Sequence, residues 1–97
     1  MLILVTYDIE IATPAGARRL VRVAKCCLRY GVRVQASVFE CRIDATQFVS
    51  LKHDLAREID AAMDSVRFYR LGDHAQGKVE TLGISHGVNM EGDPLIL

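Results

Sequence analysis

The chain has 97 residues, 51% of them hydrophobic, and 12 Lys and Arg balance 12 Asp and Glu. This is one domain with a modest core, too apolar for general disorder and without a net charge that would mark its partners. Its three cysteines, Cys26, Cys27 and Cys41, form neither a disulfide framework nor a zinc-ligand spacing, and no apolar run reaches membrane-spanning length. With no basic segment and cleavage site ahead of the first apolar run, the expectation is a cytoplasmic protein with reduced thiols and no membrane association.

Met1 to Glu10 opens the chain with an apolar run that stops at Asp8. It is too short to cross a membrane and rich in Leu, Ile and Val, so it reads as a buried central strand. Asp8 falls at the strand's C-terminal end, where α/β proteins commonly place binding groups. Thr13 then caps a helix, Pro14 takes its first position and Gly31 marks its end. Ala17, Leu20, Ala24, Cys27 and Leu28 define the expected apolar face, with Arg18, Arg22, Lys25 and Arg29 beside it.

Residues 32–43 are β-rich throughout, and only Gln35-Ala36-Ser37 is weak enough for a reversal. A second helix starts at Asp44, with Gln47 completing a capping box. Its apolar face is Phe48, Leu51, Leu55 and Ile59, extended to Ala62. Val66 to Leu71 alternates as a half-buried strand, Gly72 to Lys78 reads as a polar loop, and Val79 to Ile84 as a further strand. Gly87 to Gly92 reads as a flexible connector before an apolar tail, Pro94 to Leu97. The order β-α-β(β)-α-β with short loops predicts an α+β sandwich, with two helices on one face of an antiparallel sheet. The expected ferredoxin-like domain covers 1–85, and 86–97 is expected to pack as a tail or strand on a partner protomer.

Charge is unevenly distributed. Between residues 11 and 43 the bases Arg18, Arg19, Arg22, Lys25, Arg29, Arg33 and Arg42 face only Glu40, a balance of +6. Between 44 and 64 the acids Asp44, Asp54, Glu58, Asp60 and Asp64 outnumber Lys52 and Arg57, a balance of −3. The first region attracts phosphates; a solvated helix face would give the same stripe.

Chemistry-bearing motifs are few. Gly83-Ile84-Ser85-His86-Gly87 matches G-x-S-x-G, but that elbow needs an acid and then a His downstream, and no His follows. His53 and His74 have no partner at ligand spacing and read as surface residues. Asp8 remains, as either a turn former or a metal ligand. A single Asp is a poor Mg²⁺ site, whereas two copies facing across a two-fold axis could share an ion over a phosphodiester.

Tyr7-Asp8-Ile9, Leu28-Arg29-Tyr30-Gly31, Arg33 to Glu40 and Asp64 to Leu71 occur in an order and at a spacing that resemble the CRISPR-associated protein 2 family over about residues 2–84. The resemblance implies a ferredoxin-like β-α-β-β-α-β homodimer with an extra C-terminal strand, acting in spacer acquisition with the CRISPR-associated protein 1 integrase. It also implies Mg²⁺-dependent endonuclease activity on RNA or double-stranded DNA, with Asp8 as catalytic and metal-binding residue. Arg18, Arg22, Lys25, Arg29 and Arg33 are the expected nucleic-acid contacts, supported by Tyr7, Ser37 and Phe39. Relative to compact members, Thr13 to Gly16 lengthen the loop after Asp8. A toxin-like metal-dependent RNase of the same fold is the alternative reading.

Overall fold

The computed structural model describes residues 1–72 and 79–84. Its elements run β1 (Leu2–Asp8), α1 (Pro14–Leu28), β2 (Val32–Gln35), β3 (Val38–Arg42), α2 (Ala45–Glu58), β4 (Ser65–Leu71) and β5 (Val79–Gly83). The five strands form one antiparallel sheet in the order β2-β3-β1-β4-β5. This is the ferredoxin-like β-α-β-β-α-β arrangement with one added strand.

Period-two alternation decides the two faces of the sheet. Ile3, Val5 and Tyr7 of β1, Phe39 and Cys41 of β3, and Val66 and Phe68 of β4 are buried in one core with Val23, Cys26, Cys27, Phe48, Leu51 and Leu55 of the helices. Leu2, Leu4, Thr6 and Asp8 alternate onto the opposite face, in register with Arg42, Glu40 and Val38 on β3 and with Leu71, Tyr69, Arg67 and Ser65 on β4. Among the described residues that face carries no helix. Leu2, Val38, Tyr69 and Leu71 remain partly exposed on it, and Val79 is 45% exposed.

The β-rich stretch 32–43 turns back at Ala36-Ser37, the place weak β propensity marks, with a register shift between Arg33 and Gln35. The α2 start is the expected one: Asp44 accepts from the Gln47 backbone and Gln47 returns the bond to the Asp44 N–H. Ala62 lies beyond α2 in the turn that leads to β4, where it is exposed, so the α2 face ends at Leu55 with Ile59 packed at its margin.

The expected α1 face needs correction. Gly16, Val23, Cys26 and Cys27 are buried, whereas Ala17 is exposed and Leu28 is 55% exposed. Cys27 belongs to both sets, but the buried arc is rotated away from Ala17 and Leu28. Small Ala and Gly residues blur the apolar boundary on a helix this short, so spacing alone misplaced its centre. His53 is exposed, as expected, and His74, the 73–78 loop, Ser85 and the 86–97 tail lie outside the described residues.

Candidate functional site

The end of β1 carries Asp8 into solvent on the open face of the sheet, where its backbone pairs with Ser65 of β4. Tyr7, on the opposite face, holds the neighbouring turn: its N–H donates to the Ser37 carbonyl at 3.2 Å and its hydroxyl to the Ala36 carbonyl at 3.4 Å. The Tyr7 and Phe39 rings stack with centroids 6.1 Å apart. The Arg33 guanidinium sits 5.1 Å from the centre of the Phe39 ring. Tyr7, Arg33, Ser37 and Phe39 therefore meet around the strand end that presents Asp8, although they are spread over 33 positions of sequence.

A buried ion pair fixes the other side of this strand end. Asp64 is fully buried, and its carboxylate accepts from four donors. Arg19 donates through Nε to Oδ2 at 2.8 Å and through Nη2 to Oδ1 at 3.3 Å. The Glu10 N–H donates to Oδ1 at 3.0 Å and the Asp60 N–H to Oδ2 at 2.8 Å. Burial pushes the Asp64 carboxyl up, but the Arg19 bonds and the two backbone donors outweigh it and hold it below the usual range. Asp64 also accepts through its own carbonyl from Ile84. Gly83, with φ +87°, approaches that carbonyl so closely that a Cβ would lie 1.9 Å from its oxygen. Gly16 likewise touches the Glu10 carbonyl, where a Cβ would fall at 1.8 Å. The Thr13 hydroxyl caps α1 by accepting from the Gly16 N–H at 3.1 Å, which sets that helix against the loop.

Apart from Arg19, the basic residues of α1 and its C-cap divide into two kinds. Arg22 Nε donates to Glu58 Oε1 at 2.9 Å, and Arg29 Nη2 to Asp54 Oδ2 at 3.4 Å, so α2 returns acid to half of the stripe. Arg18 and Lys25 are exposed and make no ion pair within the described residues. The +6 and −3 regions of the sequence thus lie side by side, because α1 and α2 pack on the same face of the sheet. The Tyr30 hydroxyl donates to the same Asp54 oxygen at 2.6 Å, and this bond, with burial, pushes Tyr30 up to about 12.

Sequence spacing gave no sign of the Arg19–Asp64 pair. Arg19 counted only as one more base of the 11–43 region and Asp64 as one more acid of the 44–64 region; the usable signal is that Arg19 falls outside the Arg18, Arg22, Lys25 and Arg29 stripe. No group of three or more His, Cys, Asp or Glu among the described residues is arranged to hold a metal ion. One chain therefore offers Asp8 as a single carboxylate, which suits Mg²⁺ only if waters, phosphates or a second carboxylate complete the shell. The three thiols are buried; burial pushes Cys27 up to about 12 and Cys41 up to about 11.

An antiparallel ferredoxin-like sheet, with an exposed strand-end Asp beside a basic helix, defines a small α+β domain of the split β-α-β class. Comparison with known proteins narrows the class. Residues 1–79 match the family described as CRISPR associated protein Cas2. The chain is 53% identical over 92 residues to the CRISPR-associated endoribonuclease Cas2 of Chlorobaculum tepidum, covering 95% of this chain and 96% of the relative. It is 50% identical over 96 residues to the CRISPR-associated endonuclease Cas2 of Halalkalibacterium halodurans, covering 99% of each. The crystal structure of Streptococcus pyogenes Cas2 superposes with a TM-score of 0.71 at 55% identity, over 86% of this chain and all of that one. The chain belongs to the Cas2 family.

Proposed function

We propose that two copies of the chain pair through the open sheet face, bind double-stranded nucleic acid, and act with the CRISPR-associated protein 1 integrase in spacer acquisition. The observation that carries this reading is the position of Asp8. It stands exposed at one end of the sheet face that carries no helix among the described residues, the face on which Leu2, Tyr69 and Leu71 remain partly exposed and would be covered by a second copy. Apolar area of that kind favours association at roughly 25 cal/mol for each Å² removed from water. Two-fold pairing across such a face would bring both Asp8 carboxylates toward one axis.

The nucleic-acid contacts in this reading are Arg18, Arg22, Lys25, Arg29 and Arg33. Arg18 and Lys25 contribute undiminished charge. Arg22 and Arg29 side chains are 50% and 61% exposed in their pairs with α2, and pairs so wet are worth about 0–1 kcal/mol, so phosphates can replace the carboxylates. With no base-reading motif, binding is to phosphates and falls steeply with salt.

The reading also includes phosphodiester hydrolysis, in keeping with the nuclease names of the relatives. Asp8 of each copy would hold Mg²⁺, which when bound polarises a phosphoryl oxygen and acidifies a water. Tyr7, Ser37 and Phe39 act from beneath, keeping the β2–β3 turn against the strand end. Replacing Asp8 by Ala tests the reading with one variant. Mg²⁺-dependent cleavage of RNA and duplex DNA should vanish while duplex binding and partner assembly persist. Cleavage that survives the substitution, or a protein that ignores duplexes in dilute buffer, would contradict it.

A further inference from the structure

Asp64 is the only charged residue fully withdrawn from solvent among the described residues, and it stands next to the candidate site rather than in the centre of the core. A buried ion pair is an inefficient stabiliser, since apolar residues of similar volume often serve as well or better. Its value here lies in what the carboxylate holds. Asp8 pairs with Ser65, the residue after Asp64, and Glu10, two residues past Asp8, donates its N–H to Asp64 Oδ1. The backbone from Asp8 to Glu10 is thus held at both its ends by Asp64 and Ser65. Arg19 joins Asp64 from α1, and the Asp60 N–H joins it from the turn before β4.

We propose that Asp64 is a positioning residue for Asp8, acting through the Glu10 backbone and the Arg19 guanidinium. This rests on the reading of Asp8 as a metal ligand. Without Asp64, the Glu10 N–H loses its partner, the β1–α1 connection is released from α1, and Asp8 samples several positions. Groups that orient a metal ligand from behind typically change metal affinity about 10–100-fold when removed.

The test uses the full chain and Mn²⁺ as the probe. The double variant Arg19→Met with Asp64→Leu removes both charges and strands neither. Arg19→Leu with Asp64→Val, which likewise leaves no unpaired charge and no side-chain acceptor for the Glu10 N–H, is the second variant in case the first does not fold. Expected in either variant are wild-type amide protection for Ile3 to Thr6, at least about tenfold faster exchange at the Glu10 amide, a lower NMR order parameter at Asp8, and about tenfold weaker Mn²⁺ binding. Unchanged order at Asp8 together with unchanged Mn²⁺ affinity would overturn the proposal, leaving Asp64 a purely structural residue. Asp8→Ala, run in parallel, separates the two ideas. Should it bind Mn²⁺ like wild type, the metal reading fails by itself, and the order parameter at Asp8 alone decides whether Asp64 positions it.

Discussion

Arg19 reaches across from α1 to meet both carboxylate oxygens of Asp64, 45 residues away, and the carboxylate is shut off from solvent at the foot of β4. The two residues join the helix after β1 to the strand beside β1. They therefore lock the one connection that leads directly out of Asp8. Removing the carboxylate alone leaves the guanidinium, whose side chain is only 12% exposed, buried without its counter-charge. Asp64→Ala should cost about 3–5 kcal/mol of unfolding free energy, read by urea denaturation, whereas the apolar double replacement should cost far less.

The same pair gives the protein an acid-sensitive element. The folded Asp64 carboxyl lies below its ordinary value, so its contribution to stability is complete above the unfolded pKa of about 3.9. It is lost as pH falls through the lower, folded value. Wild type should therefore lose stability more steeply than the apolar double variant as pH is lowered below about 4. Parallel pH profiles for the two proteins would mean that the pair is not ionised in the fold.

The α2 carboxylates should act as a brake on phosphate binding. Glu58→Gln and Asp54→Asn release Arg22 and Arg29 from their ion pairs, and each should strengthen duplex binding by up to about fivefold at low salt, since exposed pairs are worth at most about 1 kcal/mol. Fluorescence anisotropy on a short labelled duplex reads the change. Weaker binding in either variant would place the duplex elsewhere. Asp54→Asn also removes the charged partner of Tyr30, so the Tyr30 hydroxyl should titrate below about 12 in ultraviolet absorbance.

The fold was legible wherever one physical signal acted alone. The first strand and the Asp44–Gln47 capping box follow from an apolar run and a side-chain cap, whereas weak β propensity at Ala36-Ser37 only permitted the turn, which the family resemblance placed. The α1 face was not legible, because Ala17, Ala24 and Gly16 contribute little hydrophobic contrast, so Leu28 pulled the expected arc toward solvent. The exposed place of Asp8 at the end of an apolar strand was legible as well. Asp64 was not: a buried carboxylate with four donors differs from a surface one only through partners at Glu10, Arg19 and Asp60, and those contacts exist only once the sheet has formed. The division of the basic stripe by Glu58 and Asp54 was hidden for the same reason.

The buried thiols provide an independent check on the core. Cys26, Cys27 and Cys41 are shielded and all three are pushed up by burial, so the native protein should resist alkylation at pH 8 and react at all three thiols once unfolded. Fast native labelling of any of them, followed by mass spectrometry, would show that the core between the helices and the sheet does not close as described.

The central claim is that two chains share one ion between their Asp8 carboxylates, and a Mn²⁺ titration followed by electron paramagnetic resonance, with mass determined in the same buffer, tests it most directly. The account expects a dimer that takes up one ion for every two chains, and an Asp8→Ala dimer that takes up none. One ion per chain on a monomer, or undiminished uptake by the Ala variant, would contradict it.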